Sequence, residues 1–162
     1  MSPGGVDLRA VRPGDEDFLY RVYASTRADE MALLDWDAAQ KQVFLRMQFA
    51  AQQRHYREQF PDARFDVIER AGESIGRLYV DRRPEEIRIV DIALLPEHRR
   101  KRIGEALLRA ILEEAAATGR TVSIHVERNN PALRLYQRLG FASTRDEGIY
   151  LLMRWDQEKI AS

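Results

Sequence analysis

A cationic segment between an apolar run and a predicted helix is the clearest chemical feature of the sequence. The basic residues Arg99, Arg100, Lys101 and Arg102 follow the apolar residues 92–95 and precede an amphipathic stretch that begins at Ile103. The first N–H groups of a helix have no intrahelical partner, and the helix dipole is positive there. Gly104 has no Cβ, so a ligand can approach that backbone closely. This arrangement predicts a site for a phosphate-bearing ligand.

The same basic run has a second interpretation, because four consecutive cations are also typical of a solvated face or a nucleic-acid patch. The chain carries 26 Lys+Arg against 26 Asp+Glu, so its net charge gives no general attraction to nucleic acid or to anionic lipid. The segment lacks the Gly-Lys-Ser/Thr ending of a P-loop, and the dinucleotide glycine fingerprint is missing. We therefore expect a phosphate-bearing small molecule, with neither nucleic acid nor membrane as a partner.

The polarity pattern predicts helices that cover a mixed sheet. A length of 162 residues fits one domain over residues 1–162, with a core over about residues 6–156. The predicted order of elements is β-α-α-β-β-β-α-β-α-β-β, which is an α/β (α+β) arrangement. The run 87–95 is the most apolar strand and is expected at the centre of the sheet. Residues 26–36 show no regular pattern.

A long helix is predicted up to Gln59. Asp37 and Gln40 have the spacing of a capping box at its start, and Phe60-Pro61 ends it. Helical spacing predicts that its buried face consists of Val43, Phe44, Met47, Ala50 and Ala51.

A second motif follows the next predicted strand, and the two motifs together resemble the GNAT superfamily of acetyl-CoA-dependent N-acetyltransferases. Arg99 and Gly104 fill the first and last positions of that family's pyrophosphate motif, Gln/Arg-x-x-Gly-x-Gly/Ala. The second motif matches the family pattern Asn-x-x-Ala-x-x-x-Tyr followed by Gly-Phe, in Asn129, Ala132, Tyr136, Gly140 and Phe141. The order of elements agrees along nearly the whole chain, and the resemblance implies a largely antiparallel sheet flanked by helices.

The resemblance also implies how acetyl-CoA would bind. The strand that carries residues 92–94 would bulge and splay from its neighbour to admit the pantetheine arm, and the N–H of Leu94 would hold the acetyl carbonyl oxygen. The implied acetyl-CoA contacts are Ile92, Ala93, Leu94, Arg99, Arg100, Lys101, Arg102, Ile103, Gly104, Glu105, Asn129, Ala132 and Tyr136.

The implied reaction is direct attack of a primary amine on the thioester in a ternary complex. It needs no covalent enzyme intermediate, and the chain has no cysteine. Tyr136 would be the general acid that protonates the leaving thiolate, since a phenol with a pKa of about 10 carries its proton at neutral pH. The acceptor is a small molecule or a peptide that the sequence does not identify.

One position departs from the family pattern, because Arg102 stands where the family usually has glycine. If the turn needs a positive φ, the arginine is strained by roughly 1–2 kcal/mol. If φ stays negative, its guanidinium can pair with a phosphate oxygen. The sequence is compatible with both conformations.

The general base has several candidates. Asp91 lies in an otherwise apolar strand, where burial should raise the pKa of its carboxyl group and suit it to a catalytic role. Strand alternation, however, puts Asp91 on the face of Ile89, opposite Arg88 and Val90, where the family's strand-borne bases lie. Asp91 is therefore either catalytic or structural. Glu30 is a second candidate, and a water relay or no base at all would also suffice for the reaction.

Several residues and activities stay open at the level of the sequence. Arg27 and Arg88 are candidates to clamp a carboxylate of the acceptor. His55, His98 and His125 are scattered along the chain, so we expect no metal site. A non-catalytic CoA-binding or sensor protein of the same fold is the second functional hypothesis. A nucleic-acid-binding module is the third, and the neutral net charge disfavours it.

Composition also bears on location and assembly. No window approaches ~18 apolar residues, so no membrane span is predicted. The absence of cysteine fits a reducing compartment, and we expect a cytoplasmic location. Apolar edge strands near the C-terminus could support a homodimer.

Overall fold

The fold is described from a computed structural model, over residues 3–157. Both ends of the predicted domain 1–162 therefore lie outside the described residues. The strands are β1 (Asp7–Ala10), β2 (Arg64–Arg70), β3 (Glu73–Arg82), β4 (Glu86–Leu94), β5 (Thr121–Glu127), β6 (Ala142–Glu147) and β7 (Tyr150–Trp155). The α-helices are α1 (Glu16–Thr26), α2 (Ala28–Ala32), α3 (Ala38–Gln59), α4 (Ile103–Thr118) and α5 (Leu133–Arg138).

The strands form one seven-stranded sheet in the order β1-β2-β3-β4-β5-β7-β6. The parallel neighbours are β4 and β5, and the other neighbouring pairs are antiparallel. This confirms the predicted mixed, largely antiparallel sheet, with β4 at its centre. The predicted order differs at one point, since the short helix α2 occupies part of the stretch expected to be irregular. Asp29 and Glu30 lie in the first turn of α2, where negative charge suits the helix dipole.

Helices cover both faces of the sheet. On one face, α4 and α5 pack over a core that includes Ile87, Ile89, Leu108 and Val122. On the other face, α1 and α3 pack over a smaller core that includes Val22 and Phe49. The sheet thus separates two apolar layers. The candidate site lies within the sheet, at the point where β4 and β5 stop pairing.

The buried face of α3 is not the predicted one. The capping box of Asp37 and Gln40 is present, with both reciprocal hydrogen bonds. However, Val43 and Met47 are 63% and 66% exposed, whereas the buried apolar side chains of α3 are Leu45 and Phe49. The physical reason is that the face of α3 that packs on the sheet is polar in its second half. Its residues there form hydrogen bonds to the sheet and are Gln52, Gln53 and Tyr56.

A bulge in β4 changes which residues share a face. Tyr79 pairs with Asp91, but the next residue, Val80, pairs with Ile89, so Val90 is an extra residue in β4. Ile89 consequently belongs to the core beneath α4, whereas Asp91 points to the side of α3 and bonds Tyr56. The expectation that Asp91 and Ile89 share a face was therefore wrong, because simple alternation fails across a bulge.

The C-terminal edge of the sheet is polar. Strand β6 lies at the edge and is exposed along its whole length, whereas the apolar strand β7 lies between β5 and β6. The edge strand predicted to be apolar is thus polar, and the homodimer stays a prediction. Within residues 3–157, no helix is long and apolar enough to cross a membrane.

Candidate active site

Strands β4 and β5 separate in the middle of the sheet. Their last paired residues are Ile89 and Ile124, and beyond that pair no strand of residues 3–157 pairs with β4 on the β5 side. The N–H of Leu95 donates to the carbonyl of Ile75 in β3 over 2.9 Å. Because strand N–H groups alternate between edges, the N–H of Leu94 points to the open edge of β4. The split forms a slot lined by backbone donors, which suits an extended ligand.

The loop after β4 holds two arginines in left-handed conformations. Arg100 has a φ of 62° and Arg102 a φ of 60°, a region that residues other than glycine rarely adopt. Of the two conformations considered for Arg102, the structure therefore has the positive φ. Helix α4 follows directly and has no side-chain cap at Arg102, so its first N–H groups stay available. A Cβ built on Gly104 would meet no atom within 4 Å, so the backbone there is open to a ligand.

The side chains of the loop divide into one anchor and three exposed cations. Nε of Arg99 donates to the carbonyl of Leu94 over 3.0 Å, and Nη2 donates to the Ser25 hydroxyl over 3.2 Å, tying β4 to α1. Arg100, Lys101 and Arg102 are exposed. Glu105 lies in the first turn of α4 and pairs with Arg138 over 2.6 Å and Arg109 over 3.4 Å. The start of α4 is therefore strongly positive and fits a phosphate group.

Helix α5 places Tyr136 in the core on the α4 side of the sheet. The Tyr136 side chain packs edge-on against Phe141, with 5.8 Å between ring centroids. Burial, and then the charge of Asp91, raise the pKa of the Tyr136 phenol above its usual value. The phenol is thus protonated at neutral pH. In the preceding turn, Asn130 accepts a hydrogen bond from the Ala132 N–H over 2.8 Å, while Asn129 is exposed.

Asp91 lies in a buried polar network on the α3 side. Its Oδ2 accepts from Nη2 of Arg77 over 2.8 Å and from the Tyr56 hydroxyl over 2.7 Å, and its Oδ1 faces Nε of Arg77 over 3.3 Å. Arg77 is 2% exposed and also donates to Gln52 over 2.9 Å. Burial, and then the charge of Asp91, raise the pKa of Tyr56. The carboxylate of Asp91 is thus the counterion of a buried guanidinium.

The structure also brings together three residues that sequence reasoning did not combine. Arg88 in β4 contacts Nδ1 of His125 in β5, and Nε2 of His125 lies 3.1 Å from a carboxylate oxygen of Glu147 in β6. Burial, and then the charge of Arg88, lower the pKa of His125. The imidazole is therefore neutral, accepting from Arg88 and donating to Glu147. Alternation within β5 puts His125 on the face of Ser123, and that signal was available in the sequence.

The two remaining candidates from the sequence pair with each other. Nη1 of Arg27 lies 3.1 Å from Glu30 and 2.9 Å from Glu127 at the end of β5. Arg27 is thus ion-paired with two carboxylates, and one of them is the carboxylate of Glu30. Within residues 3–157, no group of three or more His, Cys, Asp or Glu residues is placed to hold a metal ion.

Comparison with known proteins gives one family. The model of the acetyltransferase (GNAT) family matches residues 29–141, which include the slot, the cationic loop and Tyr136. Among curated protein sequences, none matches the chain.

Several solved structures share the fold at low sequence identity. The PaiA N-acetyltransferase of Thermoplasma acidophilum, solved with coenzyme A, has a TM-score of 0.70 at 18% identity, over 96% of this chain and 99% of that one. An acetyltransferase from Thermus thermophilus has a TM-score of 0.66 at 20% identity, over 93% and 96%. A GNAT family acetyltransferase from Elizabethkingia anophelis, solved with acetyl-CoA, has a TM-score of 0.58 at 16% identity, over 94% and 98%.

Proposed function

Because the chain belongs to the acetyltransferase (GNAT) family, we propose that it transfers the acetyl group of acetyl-CoA to a primary amine. The observation that carries this proposal is the split between β4 and β5, which begins beyond the pair of Ile89 and Ile124. At the end of β4, the chain leads into the cationic start of α4. The acceptor is a small molecule or a peptide.

The residues present fit acetyl-CoA, whose thioester supplies an activated acetyl group. The start of α4 and the exposed side chains of Arg100, Lys101 and Arg102 would hold the pyrophosphate. Backbone groups of Ile92, Ala93 and Leu94 along the open edge of β4, together with Asn129, would hold the pantetheine arm.

The chain makes two contributions to the acyl transfer. The N–H of Leu94 polarises the acetyl carbonyl, which is the oxyanion stabilisation common to acyl transfers. The amine nitrogen forms a bond to the carbonyl carbon while the C–S bond breaks. Tyr136, protonated because burial raises its pKa, gives its proton to the departing thiolate.

The proton of the amine can be removed in four ways. Both oxygens of Asp91 face Arg77, so its contacts favour a positioning role. Glu30 is held by Arg27. The other two alternatives are a water relay and an amine that binds already neutral, which needs no base.

The first experiment measures the melting temperature with acetyl-CoA and with free adenosine as the control. A ligand at 100 times its Kd adds about 2.7 kcal/mol of stability, a shift of several degrees for a domain of this size. We expect the melting temperature to rise with acetyl-CoA and to stay unchanged with adenosine. Release of CoA in the presence of amines then separates an enzyme from a non-catalytic CoA-binding protein, which would show the shift without turnover. No shift contradicts the proposal and directs attention to nucleic acid, whose binding would depend on salt.

A further inference from the structure

Arg88 is a half-buried cation at the point where β4 and β5 separate. It pairs with Ser123 of β5, one residue before the last pair of the two strands. Nη1 of Arg88 faces the Ser123 hydroxyl over 3.3 Å, and Nη2 contacts the neutral His125. A guanidinium has five N–H groups, so these two contacts leave donors available. Burial lowers the pKa of Arg88 by more than the charges of Glu86 and Glu147 raise it.

Two other arginines of the candidate site, Arg77 and Arg27, are neutralised. Arg77 pairs with Asp91 over 2.8 Å, and Arg27 pairs with both Glu30 and Glu127. Arg88, in contrast, has no carboxylate of the described residues within ion-pair distance; its link to an acid runs through His125 to Glu147.

We infer that Arg88 binds a carboxylate on the acceptor, so that the acceptor is an amino acid or a similar primary amine carrying a carboxylate. This inference rests on the proposed acetyl transfer, since it names the substrate class of that same site. The planar guanidinium offers a carboxylate two parallel hydrogen bonds, a geometry that an ammonium group cannot provide.

The balance of charge around Arg88 favours a zwitterionic acceptor over a doubly charged anion. Glu127, which follows His125 on the same face of β5, and Glu30 together outnumber their common partner Arg27 by one negative charge. Glu147 adds no excess charge, because Arg145 pairs with it over 3.6 Å. A carboxylate fits Arg88, and the ammonium group that must become the nucleophile fits the surrounding acids. A phosphate dianion would be repelled by the same acids.

The test compares each standard amino acid with its own carboxamide, which keeps the shape and removes the negative charge. CoA release is followed with a thiol reagent, and the absence of cysteine from the chain removes any protein background. We expect at least one amino acid to have a kcat/KM at least ~10-fold above that of its carboxamide, since a desolvated charge pair is worth this much or more. Equal or faster turnover of the carboxamides would overturn the inference.

Variants then assign the effect to Arg88. Arg88→Gln should bring the ratio between amino acid and carboxamide close to one, mainly by raising KM for the amino acid. Arg88→Lys keeps the positive charge but loses the two parallel hydrogen bonds of the guanidinium, so it should give an intermediate ratio between amino acid and carboxamide. Arg70→Gln removes an exposed arginine at the end of β2 and serves as the control that keeps the ratio. An unchanged ratio in a folded Arg88→Gln protein contradicts the assignment.

Failure of the inference and failure of the proposed function give different results. Acetylation of carboxylate-free amines alone would refute the carboxylate while keeping the acetyltransferase. An absence of turnover with every amine would refute the acetyltransferase. In that case, thermal stabilisation of the CoA-loaded protein by N-acetyl amino acids, compared with their amides, still decides whether Arg88 binds a carboxylate.

Discussion

Arg77 and Asp91 form a buried ion pair across β3 and β4, with 2.8 Å between Nη2 and Oδ2. Arg77 is one of the largest fully buried side chains, and the Tyr56 hydroxyl of α3 closes the network on Asp91. The pair fixes α3 against the strand that forms the slot. Asp91 thereby connects the packing of α3 on the sheet to the position of β4 at the slot.

The first prediction is that Asp91→Ala destabilises the protein by about 3–5 kcal/mol, because it leaves a buried guanidinium without its counterion. Asp91→Asn keeps the hydrogen-bonding shape and should lower the melting temperature less. If Asp91 only positions β4, the double variant Arg77→Gln/Asp91→Asn should recover both stability and turnover relative to Asp91→Asn. A fully stable double variant that stays inactive would instead identify Asp91 as the general base.

Local signals in the sequence predicted most elements correctly. The capping box at Asp37 and the central position of β4 are both present. These features depend on a few neighbouring residues or on overall apolarity, so they can be read along the chain. The family motifs likewise located the cationic loop before α4.

Features that depend on distant partners were not predicted. The bulge at Val90 arises from the pairing of β4 with β3, and it reverses the face of Asp91. The inner face of α3 is polar where it reaches the buried Arg77, so the apolar periodicity pointed outward to Val43 and Met47. A network that is satisfied only in three dimensions leaves no periodic signal in the sequence.

Gly76 gives the second prediction, because β3 and β4 approach closely there. A Cβ at Gly76 would lie 2.3 Å from the carbonyl oxygen of Ala93 and 2.8 Å from the Leu94 side chain. Gly76→Ala should therefore cost about 1–3 kcal/mol in unfolding free energy, and it should weaken acetyl-CoA binding by displacing the open edge of β4. Gly14→Ala, where a Cβ meets nothing within 4 Å, is the matched control. Equal denaturation midpoints for the two variants would contradict the close approach.

Arg102 gives the third prediction, which separates backbone strain from charge. Arg102→Gly relieves a left-handed residue and should raise the free energy of unfolding by up to about 1 kcal/mol, while weakening acetyl-CoA binding through the lost cation. Lys101→Gly removes the same charge where φ is not positive, so it should weaken binding and lower stability. Calorimetric Kd values and urea midpoints measure both effects. Stability changes of the same sign in the two variants would contradict the role of strain.

Asp15 gives the fourth prediction, which concerns acid stability. Hydrogen bonds from Arg9, both at 2.8 Å, lower the pKa of Asp15 from 3.8 to about 2. A lowered pKa in the folded state contributes stability above pH 3.8, and this contribution is lost as the pH falls through about 2. Asp15→Asn should thus melt lower than the wild type at pH 5, with the difference vanishing near pH 2. Asp17→Asn, which removes an acidic side chain that is 91% exposed in the same segment, is the control variant.

Tyr136 gives the last prediction, which tests the general acid. Tyr136→Phe keeps the ring that packs on Phe141 and removes the hydroxyl, so the fold should persist while kcat falls by about 10²-fold or more. Because burial raises the pKa of Tyr136, the wild-type rate should show no alkaline decline from this group below pH about 10. The fall should be largest for acetyl-CoA and smaller for a thioester whose leaving thiol is more acidic, since that thiolate needs less protonation. An equal loss with both donors would show that the hydroxyl positions the substrate and does not supply the proton.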